Sequence, residues 1–206
     1  DYSKESYEIF FSKQCDNKPF NRGAMKNIGF LAMKQKYPNH YKNITFVFND
    51  VDTLPYQKNL LVYDTSMGTI KHFYGYNYTL GGIVSIKGSD FEKTNGYPNM
   101  WGWSMEDNLF QKRVIDNKLI IDRTNFYPIG SRSILQFVDG IKKFINKEEI
   151  ANVLNNDYTF GLCQLTDVIY NINEEYINVI NFKSETDSAR AKFEEHDITK
   201  SGARRI

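Results

Sequence analysis

The amino-acid sequence predicts an α/β fold, a single domain in which a mixed sheet is flanked by helices. Three observations carry that expectation. The run Ile44-Thr45-Phe46-Val47-Phe48 is continuously apolar, β-branched or aromatic, which suits a strand buried on both faces of a mixed or parallel sheet. An amphipathic helical stretch precedes it, so helix and strand alternate along the chain. The length of 206 residues is enough for one full hydrophobic core.

Taken in order, Tyr7-Glu8-Ile9-Phe10-Phe11 reads as a strand, and a polar loop runs from Cys15 to Lys18. Asn21 then has the character of a helix N-cap, because its side-chain oxygen can accept from an early helical N–H. Met25, Ile28, Leu31 and Ala32 fall on one face of the helix that follows, and Pro38 marks its end. The strand from Ile44 to Phe48 stops at Asn49-Asp50-Val51-Asp52, and Pro55 prevents its continuation. The Tyr-rich stretch from Asn59 to Leu80 has no clear period. Gly81-Gly82 precedes a short strand, Ile83-Val84-Ser85-Ile86, and Ser89 to Glu92 has the spacing of a capping box, with Gly96 as the stop. A loop from Asn99 to Trp103 leads into a helix over Met105 to Asn117, then a strand at Leu119-Ile120-Ile121. Further on, the pattern predicts a helix over Ile141 to Leu154 and strands at Val168-Ile169-Tyr170 and Tyr176-Ile177-Asn178-Val179-Ile180. Residues 184–206 are polar and charged and read as a flexible tail.

With 26 basic and 25 acidic residues the net charge is +1, which argues against a nucleic-acid-binding or polybasic membrane surface. Two cysteines, Cys15 and Cys163, offer neither a disulfide framework nor zinc spacing and favour a reducing compartment. No apolar stretch reaches transmembrane length and no signal-peptide pattern is present, so a cytoplasmic-type soluble chain is expected, a Golgi luminal fragment being the alternative.

Chemistry concentrates in two places. Ligands of open α/β sheets bind beyond the carboxyl ends of strands, where Asp50 and Asp52 fall. One carboxylate can face a sugar hydroxyl while the other reaches a divalent cation, a hard ion that prefers oxygen ligands. Asp and Asn also terminate strands in plain turns, so this spacing alone is a weak signal. The second place is Trp101-Gly102-Trp103-Ser104-Met105-Glu106-Asp107, two indoles on a glycine-hinged loop leading into paired carboxylates. A general base needs such a carboxylate within reach of a hydroxyl. Ser104 as an N-cap and acids in a first helical turn would account for Glu106 and Asp107 without catalysis, but not for the tryptophans, for which a core position is the alternative.

Four blocks in fixed order make this sequence resemble the β-1,4-galactosyltransferases, inverting glycosyltransferases of family 7 with a Rossmann-like GT-A fold. They are Phe20-Asn21-Arg22, then Phe46 to Pro55, then Gly81-Gly82-Ile83-Val84-Ser85, then Asn95 to Asp107. The resemblance implies a catalytic domain over residues 1–183 and a UDP-sugar donor passed to a glycan or glycoprotein acceptor. It implies Phe20 and Arg22 against the uracil side, Asp50 and Val51 near the nucleoside, and Gly82 and Thr79 beside the donor sugar. Trp103 would close over the donor and build the acceptor site, together with Tyr97 and Glu106, with Asp107 as the base. Asp52 would hold Mn²⁺ or Mg²⁺.

Three departures stand out. The family's Met or His and His metal ligands have no match in Gly130 to Phe137, which leaves Asp52 and the diphosphate, or Arg132 as a substitute cation; His72 and His196 are the other candidates. Thr79 replaces a Tyr of galactose-specific relatives, so an N-acetylhexosamine is an alternative to galactose. The family's first Arg-rich βαβ turn has no counterpart before Tyr7. Two other functions compete: a retaining polypeptide N-acetylgalactosaminyltransferase-like enzyme, against which Asp50-Val51-Asp52 counts, and a non-catalytic sugar- or nucleotide-binding domain, against which Glu106-Asp107 counts.

Overall fold

The computed structural model describes residues 3, 6–137, 140, 142–155, 160–186, 188 and 191–197. Along the chain it contains β1 (Phe11–Gln14), α1 (Arg22–Lys36), β2 (Thr45–Asn49), β3 (Thr53–Pro55), β4 (Thr69–Gly75), β5 (Ile83–Lys87), α2 (Gly88–Lys93) and α3 (Glu106–Asp116). These are followed by β6 (Ile120–Asp122), β7 (Tyr127–Pro128), β8 (Ile134–Gln136), β9 (Lys142–Ile145), α4 (Lys147–Asn155), β10 (Thr166–Asn173), β11 (Tyr176–Lys183) and β12 (Glu194–Asp197).

The central sheet runs β2-β5-β4-β6, with β7 also paired to β4. It is mixed, as expected: β2 and β4 lie antiparallel to β5, whereas β6 and β7 run parallel to β4. A second sheet, β1-β11-β10, lies on the other side of α1. The helix therefore needs two apolar faces. Phe30 joins Phe46, Phe48, Phe91 and Tyr97 in the core of the central sheet, while Ala24, Met25, Ile28 and Ala32 pack with Ile177, Val179 and Phe182. Ring centroids 4.8 Å apart for Phe30–Phe91 and 4.5 Å for Phe48–Phe91 show how closely aromatic groups fill the first core. Two short pairs, β3-β8 and β9-β12, complete the described structure. Among the described residues no helix is long and apolar enough to cross a membrane.

Several expectations change. The strand at Thr45–Asn49 is buried on one face only, with Val47 39 % exposed: β2 pairs antiparallel with β5, and such strands can leave one face to solvent. The unpatterned Tyr-rich stretch contains β4, the most central strand. Its Lys71 and His72 break the apolar pattern, and His72 is tolerated because it is hydrogen bonded. The first strand begins at Phe11 rather than Tyr7, since parallel pairing to β11 starts at Phe11↔Tyr176.

The capping box at Ser89 is not formed. Helix α2 runs straight off β5, its N-cap is Lys87, and Ser89 Oγ is buried without a hydrogen-bond partner among the described residues. Its end is a Schellman arrangement instead, with Asn95 at φ 60°, Asn95 N–H donating to Glu92 O and Gly96 N–H to Phe91 O. The helix expected from Ile141 is shorter: β9 precedes α4, and residue 141 itself lies outside the described residues. Finally, the polar stretch after Lys183 contributes β12, antiparallel to β9, while 198–206 lie outside the described residues.

Candidate active site

Four chain segments converge at one end of the central sheet. Helix α1 brings Arg22 as its first residue, fixed by Asn21, whose Oδ1 accepts from Ala24 N–H at 2.9 Å. Asp50 follows the last residue of β2, its N–H donating to Gly82 O at 2.9 Å. Thr53 folds the turn back, its N–H and hydroxyl both donating to Asp50 O at 3.0 and 2.8 Å. Gly81-Gly82 lead into β5, and Glu106 and Asp107 open α3, where the helix dipole favours acids.

Arg22 binds these segments together. Its Nη1 donates to Glu106 Oε1 and to Asp107 Oδ1, both at 2.7 Å, while Nη2 donates to the two oxygens of Asp50 at 2.6 Å. Lys26, one turn along α1, places Nζ 3.0 Å from Asp50 Oδ1 and 4.6 Å above the Tyr97 ring. Three carboxylates thus face two cations in a half-buried setting, where charge-assisted hydrogen bonds are strong.

The carboxylates respond differently. Burial opposes ionisation of Asp50, yet Arg22 and Lys26 outweigh it and hold the group well below its ordinary value. Burial raises Glu106 above its ordinary value; Arg22 opposes the shift and Asp107 adds to it. Glu106 Oε2 is also buried without a hydrogen-bond partner among the described residues, whereas Oε1 is held by Arg22. Burial weakens the charge of Arg22, but Asp107, Asp50 and Glu106 together raise the guanidinium well above its ordinary value.

The turn at Gly81-Gly82 touches both acids. A Cβ on Gly81 would fall 2.1 Å from Asp107 Oδ2, and Gly82 N–H donates to Asp50 Oδ2 at 3.3 Å. Gly82 is required by the backbone: its φ is +71° and a Cβ would lie 2.2 Å from Tyr74 O.

The remaining sequence-predicted residues are spread more widely. Phe20 is exposed and its carbonyl accepts from Gly102 N–H at 2.8 Å, tying the start of the site to the tryptophan loop. Val51 is 84 % exposed at the tip of its turn. Asp52 lies on the same turn, its carbonyl accepting from Phe137 N–H at 2.7 Å. Thr79 is buried, its hydroxyl directed at Tyr76 O, so its size is felt by the protein rather than by an open pocket. Tyr97 is 0 % exposed, stacked on Phe110 at 4.1 Å with its hydroxyl donating to Leu80 O at 3.3 Å. It supports the site from within the core.

The tryptophans divide. Trp101 is a core residue, 2 % exposed and stacked on Phe182 at 5.3 Å, with Nε1–H donating to Thr186 O at 2.8 Å. Trp103 is 44 % exposed, its N–H donating to Phe144 O at 2.8 Å and its ring 6.0 Å from that of His196. Ser104 does not cap α3; its hydroxyl donates to Met100 Sδ at 3.4 Å and the N-cap is Met105. Arg132 is exposed. Lys26 and Gly81 join the site through the structure. The four-residue spacing from Arg22 puts Lys26 on the same helix face, which was the available signal; the fit of Gly81 to Asp107 had none.

The mixed sheet, with a carboxylate cluster beyond a strand end and a tryptophan loop leading into α3, has the GT-A class of glycosyltransferase fold. A family model described as the N-terminal region of glycosyl transferase group 7 matches residues 3–64, and one described as the N-terminal domain of galactosyltransferase matches 64–135. The chain belongs to the group 7 glycosyltransferases, the family of the β-1,4-galactosyltransferases. Xylosylprotein 4-beta-galactosyltransferase of Caenorhabditis elegans is 30% identical over 147 residues, 67% of this chain and 49% of that protein. Beta-1,4-galactosyltransferase 7 of Drosophila melanogaster is 27% identical over 192 residues, 85% of this chain and 57% of that protein. The chain thus spans about half the length of these curated relatives.

The solved catalytic domain of Drosophila beta1,4galactosyltransferase 7 with xylobiose superposes with a TM-score of 0.66 at 25% identity, covering 89% of this chain and 83% of that one. A mutant of that protein, solved with manganese, UDP-Gal and xylobiose, gives a TM-score of 0.65 at 24% identity, again over 89% and 83%.

Proposed function

We propose that this chain is the catalytic part of an inverting galactosyltransferase that moves galactose from UDP-galactose to a sugar hydroxyl, with a xylose-ended glycan as acceptor. The observation that carries this reading is the Arg22 guanidinium joining Asp50, after β2, to Glu106 and Asp107, at the start of α3. A donor-end and an acceptor-end carboxylate are held in one hydrogen-bonded unit, which is the positioning that a direct displacement needs. The ligands named for the Drosophila structures and the activity named for the nematode relative support galactose and a xyloside. Thr79, buried against Tyr76, gives no reason to prefer an N-acetylhexosamine.

In this reading Asp107 accepts the proton of the attacking hydroxyl. Arg22 fixes Asp107 through Oδ1 and leaves Oδ2 turned toward the Gly81-Gly82 backbone, where a substrate hydroxyl is to approach. Glu106 orients the acceptor through Oε2, the oxygen with no protein partner among the described residues. Trp103, with its ring partly exposed, supplies an apolar wall against a sugar face. Attack from the side of Asp107 on an α-linked donor expels UDP and gives a β-linkage.

No group of three or more His, Cys, Asp or Glu residues that could hold a metal ion occurs among the described residues. His72 is buried in hydrogen bonds and His196 stacks on Trp103. Asp52 still fits a hard divalent cation, because such ions are often held by one or two carboxylates plus phosphates and water. Bound there, the ion would neutralise the diphosphate leaving group, with Asp52 as its protein ligand.

The test is transfer of galactose from UDP-galactose to xylobiose, with and without Mn²⁺. Asp107→Asn should lower kcat by about 100-fold or more with donor binding retained, and Asp52→Ala should remove the response to Mn²⁺. A chain that binds UDP-galactose but never turns over, identically in wild type and Asp107→Asn, would be a binding domain and not a transferase.

A further inference from the structure

Behind the Gly81-Gly82 turn lies a buried histidine that the proposed reaction does not use. His72 is 1 % exposed on β4, with Nε2 3.0 Å from Tyr74 O and 3.1 Å from Gly81 O. Arg123 Nε–H donates to its Nδ1 at 3.0 Å. Because a guanidinium can only donate, Nδ1 must be the acceptor and the single ring proton sits on Nε2, shared between the two carbonyls. Burial and the neighbouring Arg123 charge both push the imidazole down to about 4, so it is neutral at ordinary pH, as this bonding requires.

Arg123 extends the network. Its Nη2 donates to Gln111 Oε1 of α3 at 2.7 Å and to Thr79 O at 3.3 Å, and the Phe126 ring packs 4.8 Å from the imidazole. Gly75, at φ +141°, closes the same spot: a Cβ there would lie 3.0 Å from both His72 Nε2 and Gly81 O. Two backbone carbonyls of the turn segment, Thr79 and Gly81, are therefore held from the rear. On its front side the same segment meets Asp107 through Gly81 and Leu80 N–H, which donates to Asp107 O at 3.1 Å, and Asp50 through Gly82 N–H.

We propose that His72 and Arg123 are positioning residues for the transfer reaction: they fix the Gly81-Gly82 turn from behind, and the turn in turn seats Asp107 and Asp50. This rests on the functional reading above. The physical reason is that a base is effective only when its supporting shell holds it within a fraction of an ångström, and groups that orient such residues typically matter by about 10- to 100-fold.

The experiment compares steady-state galactose transfer for wild type, Asp107→Asn, His72→Leu, His72→Gln and Arg123→Met, with thermal unfolding of each. His72→Leu removes the shared donor and is expected to lower kcat by about 10- to 100-fold with the KM for UDP-galactose changed far less. His72→Gln keeps an amide N–H near the Nε2 position and is expected to recover most of that loss. Arg123→Met should fall between the two, and it carries the test should His72→Leu fail to fold. A folded His72→Leu or Arg123→Met chain with wild-type kcat overturns the proposal, as does a folded His72→Gln chain no more active than His72→Leu. A wild-type chain without transfer, or an Asp107→Asn chain at full rate, overturns the functional reading and this proposal with it.

Discussion

A methyl group built onto Gly81 falls 2.1 Å from Asp107 Oδ2, whereas one on Gly82 falls 2.2 Å from the carbonyl oxygen of Tyr74. The first obstacle is the end of a side chain and the second is backbone at positive φ, so the two neighbouring glycines differ in what substitution should do. Gly81→Ala is expected to displace Asp107, cutting kcat strongly while the melting temperature moves little. Gly82→Ala should cost roughly 1–3 kcal/mol of stability, because a non-glycine residue at φ +71° is strained even before the clash. Denaturant titration beside steady-state kinetics separates the two. His72 makes a different residue-scale prediction. Its folded-state value of about 4 lies below the ordinary 6.5, so the unfolded chain binds the extra proton first as pH falls. Its contribution is fully present above about pH 6.5 and is lost progressively down to about pH 4, up to about 3 kcal/mol in all. Unfolding measured across that window should show a shallower pH dependence in His72→Gln than in the wild type.

At the scale of elements, α1 joins fold and site. Asn21 caps it and Arg22 is its first helical residue, so any loosening of the first turn moves the guanidinium. Asn21→Ala should cost about 1 kcal/mol by denaturant titration and lower kcat as well. An unchanged rate in a destabilised variant would separate the cap from the chemistry. Helix α1 was also the most legible element. Its cap, apolar face and stop are local signals, each within a few residues of the others. Strand β4 was the least legible, because its lysine and histidine hide a central strand that only cross-strand partners and the Arg123 bond make possible. The capping box at Ser89 misled for a related reason. A capping box needs its serine at the N-cap, and here α2 begins at Gly88 with the extended Lys87 as N-cap, so Ser89 lies inside the first turn.

The whole molecule decides how the tryptophan loop is held. Trp101 N–H donates to Glu149 Oε2 at 3.1 Å and its indole to Thr186 O, while Thr186 Oγ1 donates to Glu149 Oε1 at 3.2 Å. Gly102, at φ +77°, packs against Phe144 O and the Phe193 ring. The stretch read from sequence as a tail thus supplies both Thr186 and Phe193 to this loop. Removing residues 184–206 strands a buried indole N–H, a loss of about 1–3 kcal/mol. The melting temperature should drop by about 2–4 °C for each kcal/mol, and the KM for xylobiose should rise more than that for UDP-galactose. An unaltered acceptor KM in the shortened chain would argue against the loop's role in acceptor binding.

The sequence by itself determined the α/β class, the family blocks and the two acidic motifs, because each is written in short, contiguous stretches where residue type and spacing carry the signal. Tertiary structure alone decided that Arg22 faces three carboxylates, that Trp101 and Tyr97 are core while Trp103 is exposed, and that His72 is bonded to two backbone carbonyls and Arg123. The physical reason is distance along the chain. Arg22 lies 28, 84 and 85 residues from the acids it binds, and no local pattern encodes a contact closed by the packing of two sheets around one helix.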